Sequence, residues 1–292
     1  MIINNGVQEK ATVIGTVDTS NSMRMNLTAQ SYSLILENLY KDPMGSVLRE
    51  LTTNAVEAHQ MVNSTRKVCI QLPNPLNTDL VIRDFGIGLT DEEIEKYLNC
   101  LFSSSKGEDN NMMGGFGLGS KSPLALVDSF TLVSVKDGYQ YDYMWIKEKG
   151  QIPTPIFQDK SKTTRQNGIT ITVPLGSSTK VPLQNLQKYV KEKTNRQLFA
   201  FQDSVRIVDD ANKDYDDMVD LSDTVFTAKR VLDLDTLAIY HDPHLSRPSY
   251  GLSVGASYIQ IGSVIYDYNF QAQNTDLRFL FKYFSSLAQF VV

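Results

Sequence analysis

Glu50, Asn54 and Glu57 recur at i, i+4 and i+7, a spacing that puts three oxygen-bearing side chains on one face of a helix. Charges so spaced usually form a solvated face. Asn54, however, stands mid-helix, where asparagine has poor propensity, and its amide oxygen together with phosphate oxygens would suit hard Mg²⁺. Glu50, one turn earlier, could then orient a water. Further on, Asp84-Phe85-Gly86-Ile87-Gly88 closes a predicted strand on an aspartate, and its two glycines would let a ligand approach the backbone. An ordinary strand-to-helix turn has the same composition. A third stretch, NMMGGFGLGSKS (111–122), carries Gly114, Gly115, Gly117 and Gly119, then Lys121 between two serines. A P-loop requires GxxxxGK[ST], and here the lysine comes one residue late; the GxGxG spacing also fails the GxGxxG dinucleotide fingerprint. What remains is a glycine-rich turn feeding SKSPLALV, a plausible helix start whose free amides would take phosphate.

The elements that must hold these groups follow from periodicity. SLILENLY (33–40) and MGSVLRELTTNAVEAHQMV (44–62) predict two helices broken at Asp42-Pro43, the second with Leu48, Leu51, Ala55, Ala58 and Val62 on one apolar stripe. Residues 68–72 and 80–85 predict short strands, and 91–98 a helix capped by Thr90. A hairpin turning at Asp137-Gly138 and a strand at 167–175 follow. The expected fold is α+β: a two-layer α/β sandwich with a largely antiparallel sheet. A change of texture at residues 174–184 places a domain boundary between 1–178 and 179–292, and the second part reads as a smaller α+β unit with a helix at 183–201 and strands within SYIQIGSVIYDY.

At 292 residues and 41% hydrophobic content the chain can bury a sizeable core. Its charge, 28 − 33 = −5, has no basic block, so nothing in the composition is a nucleic-acid footprint. Cys69 and Cys100 lie outside any CxxC pattern and predict two buried thiols rather than a disulfide or zinc framework. No signal peptide and no run of eighteen apolar residues occurs, which predicts neither secretion nor a membrane span. Asp210, Asn212, Asp214 and Asp216 imitate a calcium loop, but Tyr215 and Leu221 stand where glycine and glutamate are needed. His59, His241 and His244 form no metal or hydrolase pattern.

Taken jointly and in this order, the motifs resemble the GHKL ATPases, the superfamily of gyrase, Hsp90, histidine kinases and MutL, which bind ATP in the Bergerat fold. LRELTTNAVEA resembles the N-box, RDFGIG the DxGxG motif and GGFGLGSKS the glycine box that closes the ATP lid. Within the superfamily, ENLYKD, RELTTNAVEAH, RDFGIGLTD and LFSSSKGEDNNMMGGFGLGSKSP are similar to the RIIA-type phage protectors from prophage-induced early lysis, through most of residues 25–180. The resemblance implies Glu50 as the general base, Asn54 as the protein ligand of Mg²⁺, and Asp84 as acceptor of the adenine amino hydrogen, with Gly86 and Gly88 shaping the base pocket. It implies a phosphate cradle from Gly115, Phe116, Gly117, Leu118, Gly119 and Ser120, with Lys121 beside it. It also implies a closing lid at 99–113 whose Ser104, Ser105 and Lys106 meet phosphate.

Two positions depart from the family. Glu57 stands where an aspartate is usual, and Gly168-Ile169 where a Gly-Thr pair is usual, with Thr170 one place later. Relatives also bring a lysine or arginine from the second domain to the γ-phosphate, and RIIA-like chains have a Ser-Arg-Glu-x-Leu type loop there. None precedes Val292, and the apolar ending FVV favours a truncated second domain. The expectation is therefore an ATP-binding switch with slow hydrolysis, in the cytoplasm of an infected bacterium and at most peripheral to its inner membrane. An RIIB-type companion or self-association supplies the partner. A non-hydrolysing scaffold for protein binding is the alternative, while a kinase-like phosphotransferase lacks a phospho-acceptor histidine helix.

Overall fold

The computed structural model describes residues 28, 40, 42–98, 119–148, 151–176, 181–234, 237–242, 256–261 and 264–268. Helix α1 (Pro43–Met61) leads into β1 (Val68–Gln71), β2 (Asp79–Arg83) and helix α2 (Asp91–Leu98). Strands β3 (Ser129–Lys136), β4 (Tyr139–Ile146), β5 (Thr154–Lys162) and β6 (Gly168–Pro174) follow, then helix α3 (Leu183–Leu198), β7 (Val205–Val208) and the short helix α4 (Ser222–Val225). These strands form one seven-stranded sheet in the order β5-β4-β3-β6-β2-β1-β7, antiparallel throughout except that β7 runs parallel to β1. The architecture is the α+β sandwich that the motif order predicts. The predicted helix at 33–40 lies outside the described residues apart from Tyr40.

Local chemistry explains why α1 begins and ends where it does. Pro43 presets the first helical turn, and the Asp42 carboxylate accepts a hydrogen bond from the Gly45 N–H at 3.3 Å. Met44, Val47, Leu48, Leu51 and Ala55 are buried against the sheet. The apolar stripe stops earlier than its spacing predicts. Asn63 takes a left-handed φ of 50°, so the helix closes at Met61, Val62 becomes a cap 42% exposed, and His59 fills the last buried position. Helix α2 matches its predicted bounds because its start is set locally: Thr90 and Glu93 cap each other reciprocally at 2.8 and 3.3 Å, and Lys136 pairs with Glu93 at 2.7 Å.

Alternation along the strands divides the sheet into two faces. Val68, Ile70, Leu80, Ile82, Val173, Val205 and Ile207 join α1 and α3 in the main core, which Phe130 and Trp145 extend by stacking at 5.2 Å. Cys69, Val81, Phe85, Val208, Ala211 and Met218 form a second cluster on the reverse face. Cys69 is a free, buried thiol, as expected; Cys100 is outside the described residues. The hairpin turns at Asp137 and Gly138, both with positive φ, which is the two-residue geometry whose twist matches the strands.

Of the segment after residue 178, residues 183–225 pack into this same unit. Leu186 and Val190 of α3, together with Val225, share the main core; Lys193 pairs with Asp42 at 2.6 Å; and β7 pairs with β1 from Val68–Val205 to Gln71–Val208. The texture change at 174–184 thus marks the connection from β6 to α3. A separate four-stranded antiparallel meander comprises β8 (Lys229–Leu234), β9 (Leu237–Asp242), β10 (Ala256–Ile261) and β11 (Val264–Tyr268). Among the described residues, no helix is long and apolar enough to cross a membrane.

Gly88 shows how tightly the loop after β2 is fitted. Its φ is +68°, and a Cβ there would sit 2.0 Å from the Val135 carbonyl oxygen. Gly88→Ala is therefore expected to destabilise the fold by about 2 kcal/mol or more, from left-handed strain plus displacement of β3. Urea unfolding followed by circular dichroism measures this.

Candidate functional site

The face of α1 that carries the candidate polar groups borders the turn that follows the glycine-rich stretch. Glu50, Asn54 and Glu57 are half-buried, with the Glu50 carboxylate 3.9 Å from Arg49. Against this face packs the segment Gly119–Ala125, a 3₁₀ turn rather than the predicted α-helical start. Pro123 lies inside it and cannot donate to a helical ladder, so the tighter turn forms instead. A Cβ added at Gly119 would lie 2.8 Å from Glu50 Oε2 and 3.5 Å from Asn54 Nδ2. The backbone of the turn comes close to both groups, and a side chain at this position would have to displace the Glu50 carboxylate. Ser120 is half-buried, whereas Lys121 is 5% exposed. Two fully buried hydroxyls, Thr52 Oγ1 on α1 and Ser122 Oγ on the turn, have no hydrogen-bond partner among the described residues. A glycine turn beside a carboxylate and an amide fits a ligand bearing several oxygens and a hard cation.

The second wall of the site is the loop that leaves β2. The Asp84 carboxyl is 6% exposed, and burial pushes its pKa up to about 6, against the opposing pull of the Gly86 and Ile169 backbone amides and the Arg83 charge. Its Oδ1 accepts from the Gly86 N–H at 2.8 Å, while its own N–H donates to the Ile169 carbonyl at 2.9 Å. Gly86 is pressed onto α1, where a Cβ would meet Ala58 at 2.7 Å. Past Gly88, Ser134 Oγ accepts the Leu89 N–H at 2.7 Å and donates to the Leu89 carbonyl at 2.8 Å. A buried acceptor held at a strand end, still ionised at neutral pH, is suited to recognising a donor on a ligand. An open cleft of about 510 Å³ borders this loop, between Val62 and Ser64 on one side and Arg165 to Asn167 on the other.

The structure does not bring Thr170 to this wall. Its Cα partners are Arg83 and Val133, so Thr170 shares their face, the reverse of the one that α1 covers. Ile169 occupies the α1 side instead, and its backbone amide supplies the contact to Asp84. On the reverse face Arg83 donates to the Ala211 and Lys213 carbonyls at 2.9 and 2.8 Å and stacks 4.8 Å over Phe85, whose ring meets Tyr215 edge-on at 5.1 Å. Arg66 and Arg206 lie 4.8 and 5.2 Å from the Tyr215 ring centre.

Two residues that motif reading passed over lie beside these groups. Burial first, and the neighbouring Glu50 carboxylate second, push the Tyr40 hydroxyl up to about 12, so a neutral phenol shares the surroundings of Glu50. His59 Nε2 accepts the Phe85 N–H at 2.7 Å. No local signal marks either residue. Ser104, Ser105, Lys106, Gly115, Phe116, Gly117 and Leu118, with the rest of 99–118, lie outside the described residues. Among those described, no three histidine, cysteine, aspartate or glutamate side chains gather as a metal site.

Residues 42–167 match the family model described as histidine kinase-, DNA gyrase B-, and HSP90-like ATPase. The match covers 126 of the chain's 292 residues, and α1, the Asp84 loop and the Gly119 turn all fall within it. It is similar to the chaperone protein HtpG of Bacteroides fragilis, 33% identical over 132 residues, covering 39% of this chain and 19% of the chaperone. It is 29% identical over 113 residues to an endoplasmin homolog of Leishmania donovani, covering 34% and 14%, and 24% identical over 143 residues to HtpG of Treponema denticola, covering 41% and 22%. The chain thus spans less than a quarter of the length of these curated relatives.

Proposed function

We propose that the chain binds ATP between α1, the Asp84 loop and the Gly119 turn, and hydrolyses it slowly as a conformational switch. The observation that carries this reading is the packing of the Gly119 turn onto α1 beside Glu50 and Asn54. Asp84 accepts the adenine amino hydrogen, with Gly86 and Gly88 shaping the base pocket. Glu50 aligns a water and takes its proton, while Glu57 adds a polar edge on the same face of α1. The amides from Gly115 to Ser120 and the Lys121 charge receive phosphate oxygens, and Ser104, Ser105 and Lys106 belong to the closing lid. Asn54 would hold Mg²⁺, which when bound neutralises phosphate charge.

At the biological level, the motif resemblance supports an RIIA-like role in protecting a phage infection against prophage-induced early lysis, inside the infected bacterium, with an RIIB-like companion. The likeness to Hsp90-type chaperones supports dimerisation. The packing of α3 and β7 on the first sheet leads us to place the domain boundary near Ala228, with the meander as the start of a second unit. A second reading, a non-hydrolysing scaffold, is favoured by one observation: Ile169 stands beside Asp84 where relatives have a supporting hydroxyl.

Calorimetric titration tests the nucleotide reading. ATP with Mg²⁺ is expected to bind saturably at one site per chain. Asn54→Ala is expected to weaken that binding about tenfold while leaving Mg²⁺-free binding unchanged. Absence of saturable binding at millimolar ATP contradicts it.

A further inference from the structure

Three backbone N–H groups follow one another at the base-recognition loop, and each has one acceptor. The Asp84 N–H goes to the Ile169 carbonyl at 2.9 Å, the Gly86 N–H to Asp84 Oδ1 at 2.8 Å, and the Phe85 N–H to His59 Nε2 at 2.7 Å. The last is the only one of the three supplied by another element's side chain, and it comes from α1, the helix that carries Glu50 and Asn54. The Phe85 N–H and the Asp84 carbonyl belong to one planar peptide unit. That carbonyl is pressed onto β6, where a Cβ at Gly168 would lie 2.2 Å from the oxygen. The Asp84–Phe85 peptide is therefore gripped at both ends, by His59 on the N–H and by Gly168 on the carbonyl.

His59 is itself prepared as an acceptor. It is 6% exposed, and burial lowers its pKa below the usual histidine range, keeping the ring neutral at pH 7.5; hydrogen bonding to the Arg66 backbone opposes this. With Nε2 accepting from Phe85, the neutral ring carries its proton on Nδ1. The charges around the pair are Asp84 on the loop, Arg83 at the end of β2 and Arg66 after α1; both guanidiniums lie over the Phe85 ring, at 4.8 and 5.3 Å.

We propose that His59 is a positioning residue for base recognition: by holding the Phe85 N–H through Nε2, it fixes the peptide that orients the Asp84 carboxylate toward the adenine amino group. The inference rests on the ATP reading above and adds to it the device that ties the helix of Glu50 and Asn54 to base selection. Without the acceptor, the buried Phe85 N–H must turn to find another, and the Asp84 carbonyl and side chain turn with it.

The test is equilibrium binding of two nucleotides, both with Mg²⁺, to the whole chain at pH 7.5: ATP, and purine riboside triphosphate, which lacks the exocyclic amino group. Wild type and His59→Gln, whose Oε1 can replace Nε2 as acceptor, are expected to prefer ATP. His59→Phe is expected to lose about tenfold in ATP affinity while binding the analogue as wild type does, so that the preference disappears. Equal weakening of both nucleotides in His59→Phe, an intact preference there, or failure of a folded His59→Gln to restore it overturns the proposal. A wild type that binds neither nucleotide defeats the ATP reading instead. Phe85 amide hydrogen exchange then decides the grip of His59 separately: about tenfold or more faster exchange in His59→Phe, but not in His59→Gln, supports it, and unchanged exchange refutes it.

Discussion

Asp84→Asn is expected to abolish ATP binding while leaving the chain at least as stable as wild type at pH 7.5. The two effects have one cause, a carboxylate kept ionised where burial disfavours charge. Folding raises the Asp84 pKa to about 6, above the ordinary aspartate value near 3.9 of an unfolded chain. Between about pH 4 and pH 6 the folded state holds a proton that the unfolded state has released, so the Asp84 contribution to stability falls as pH rises through that window. Above it the full penalty applies, on the order of 3 kcal/mol. Asparagine has no charge to bury. It can still accept from the Gly86 N–H, but its amide group faces the Ile169 N–H without an acceptor, costing roughly 1–3 kcal/mol. The balance is level or favourable, and thermal melts at pH 7.5 and pH 4.5 resolve it: the mutant's advantage should shrink at the lower pH. For the ligand, the same change puts a donor where the adenine amino group needs an acceptor, so binding is lost without loss of fold. Such a pair of outcomes marks a binding group rather than a structural one.

Glu50→Ala has the second large effect, on turnover alone. The Glu50 side chain is half-buried on α1 beside Gly119, and alanine keeps the helix. ATP affinity is expected to stay within about threefold of wild type, because in the proposed role the carboxylate acts on water rather than on the nucleotide. Hydrolysis is expected to fall about 10²- to 10³-fold, the usual contribution of a positioned general base. Phosphate release at saturating ATP measures it. Equal turnover in wild type and mutant would remove Glu50 from the chemistry and favour the scaffold reading.

What could be read in the sequence was what local chemistry fixes. The i, i+4, i+7 spacing of Glu50, Asn54 and Glu57 sufficed because α1 is one regular helix with its cap and proline beside it, and α2 was legible to the residue because its capping pair is three residues apart. Long-range pairing was not legible. Strand β7 is a four-residue run whose partner β1 lies far earlier in the chain, so the segment after residue 178 looked like a separate unit. Strand β5 is an exposed sheet edge, and without a buried side it carries no alternation. The register of β6 put Thr170 on the face away from α1, which a motif one residue out of phase cannot reveal. His59 reaches Phe85 across 26 residues, a contact that spacing does not encode.

The most direct measurement is a calorimetric titration of ATP with Mg²⁺ against the whole chain and its Asp84→Asn variant, with both folds checked by circular dichroism. Saturable binding at one site per wild-type chain, with none in the variant at equal or higher melting temperature, is the expected result. Wild-type affinity retained in Asp84→Asn, or no binding by wild type at millimolar ATP, would contradict the claim that the buried carboxylate at the end of β2 reads the base.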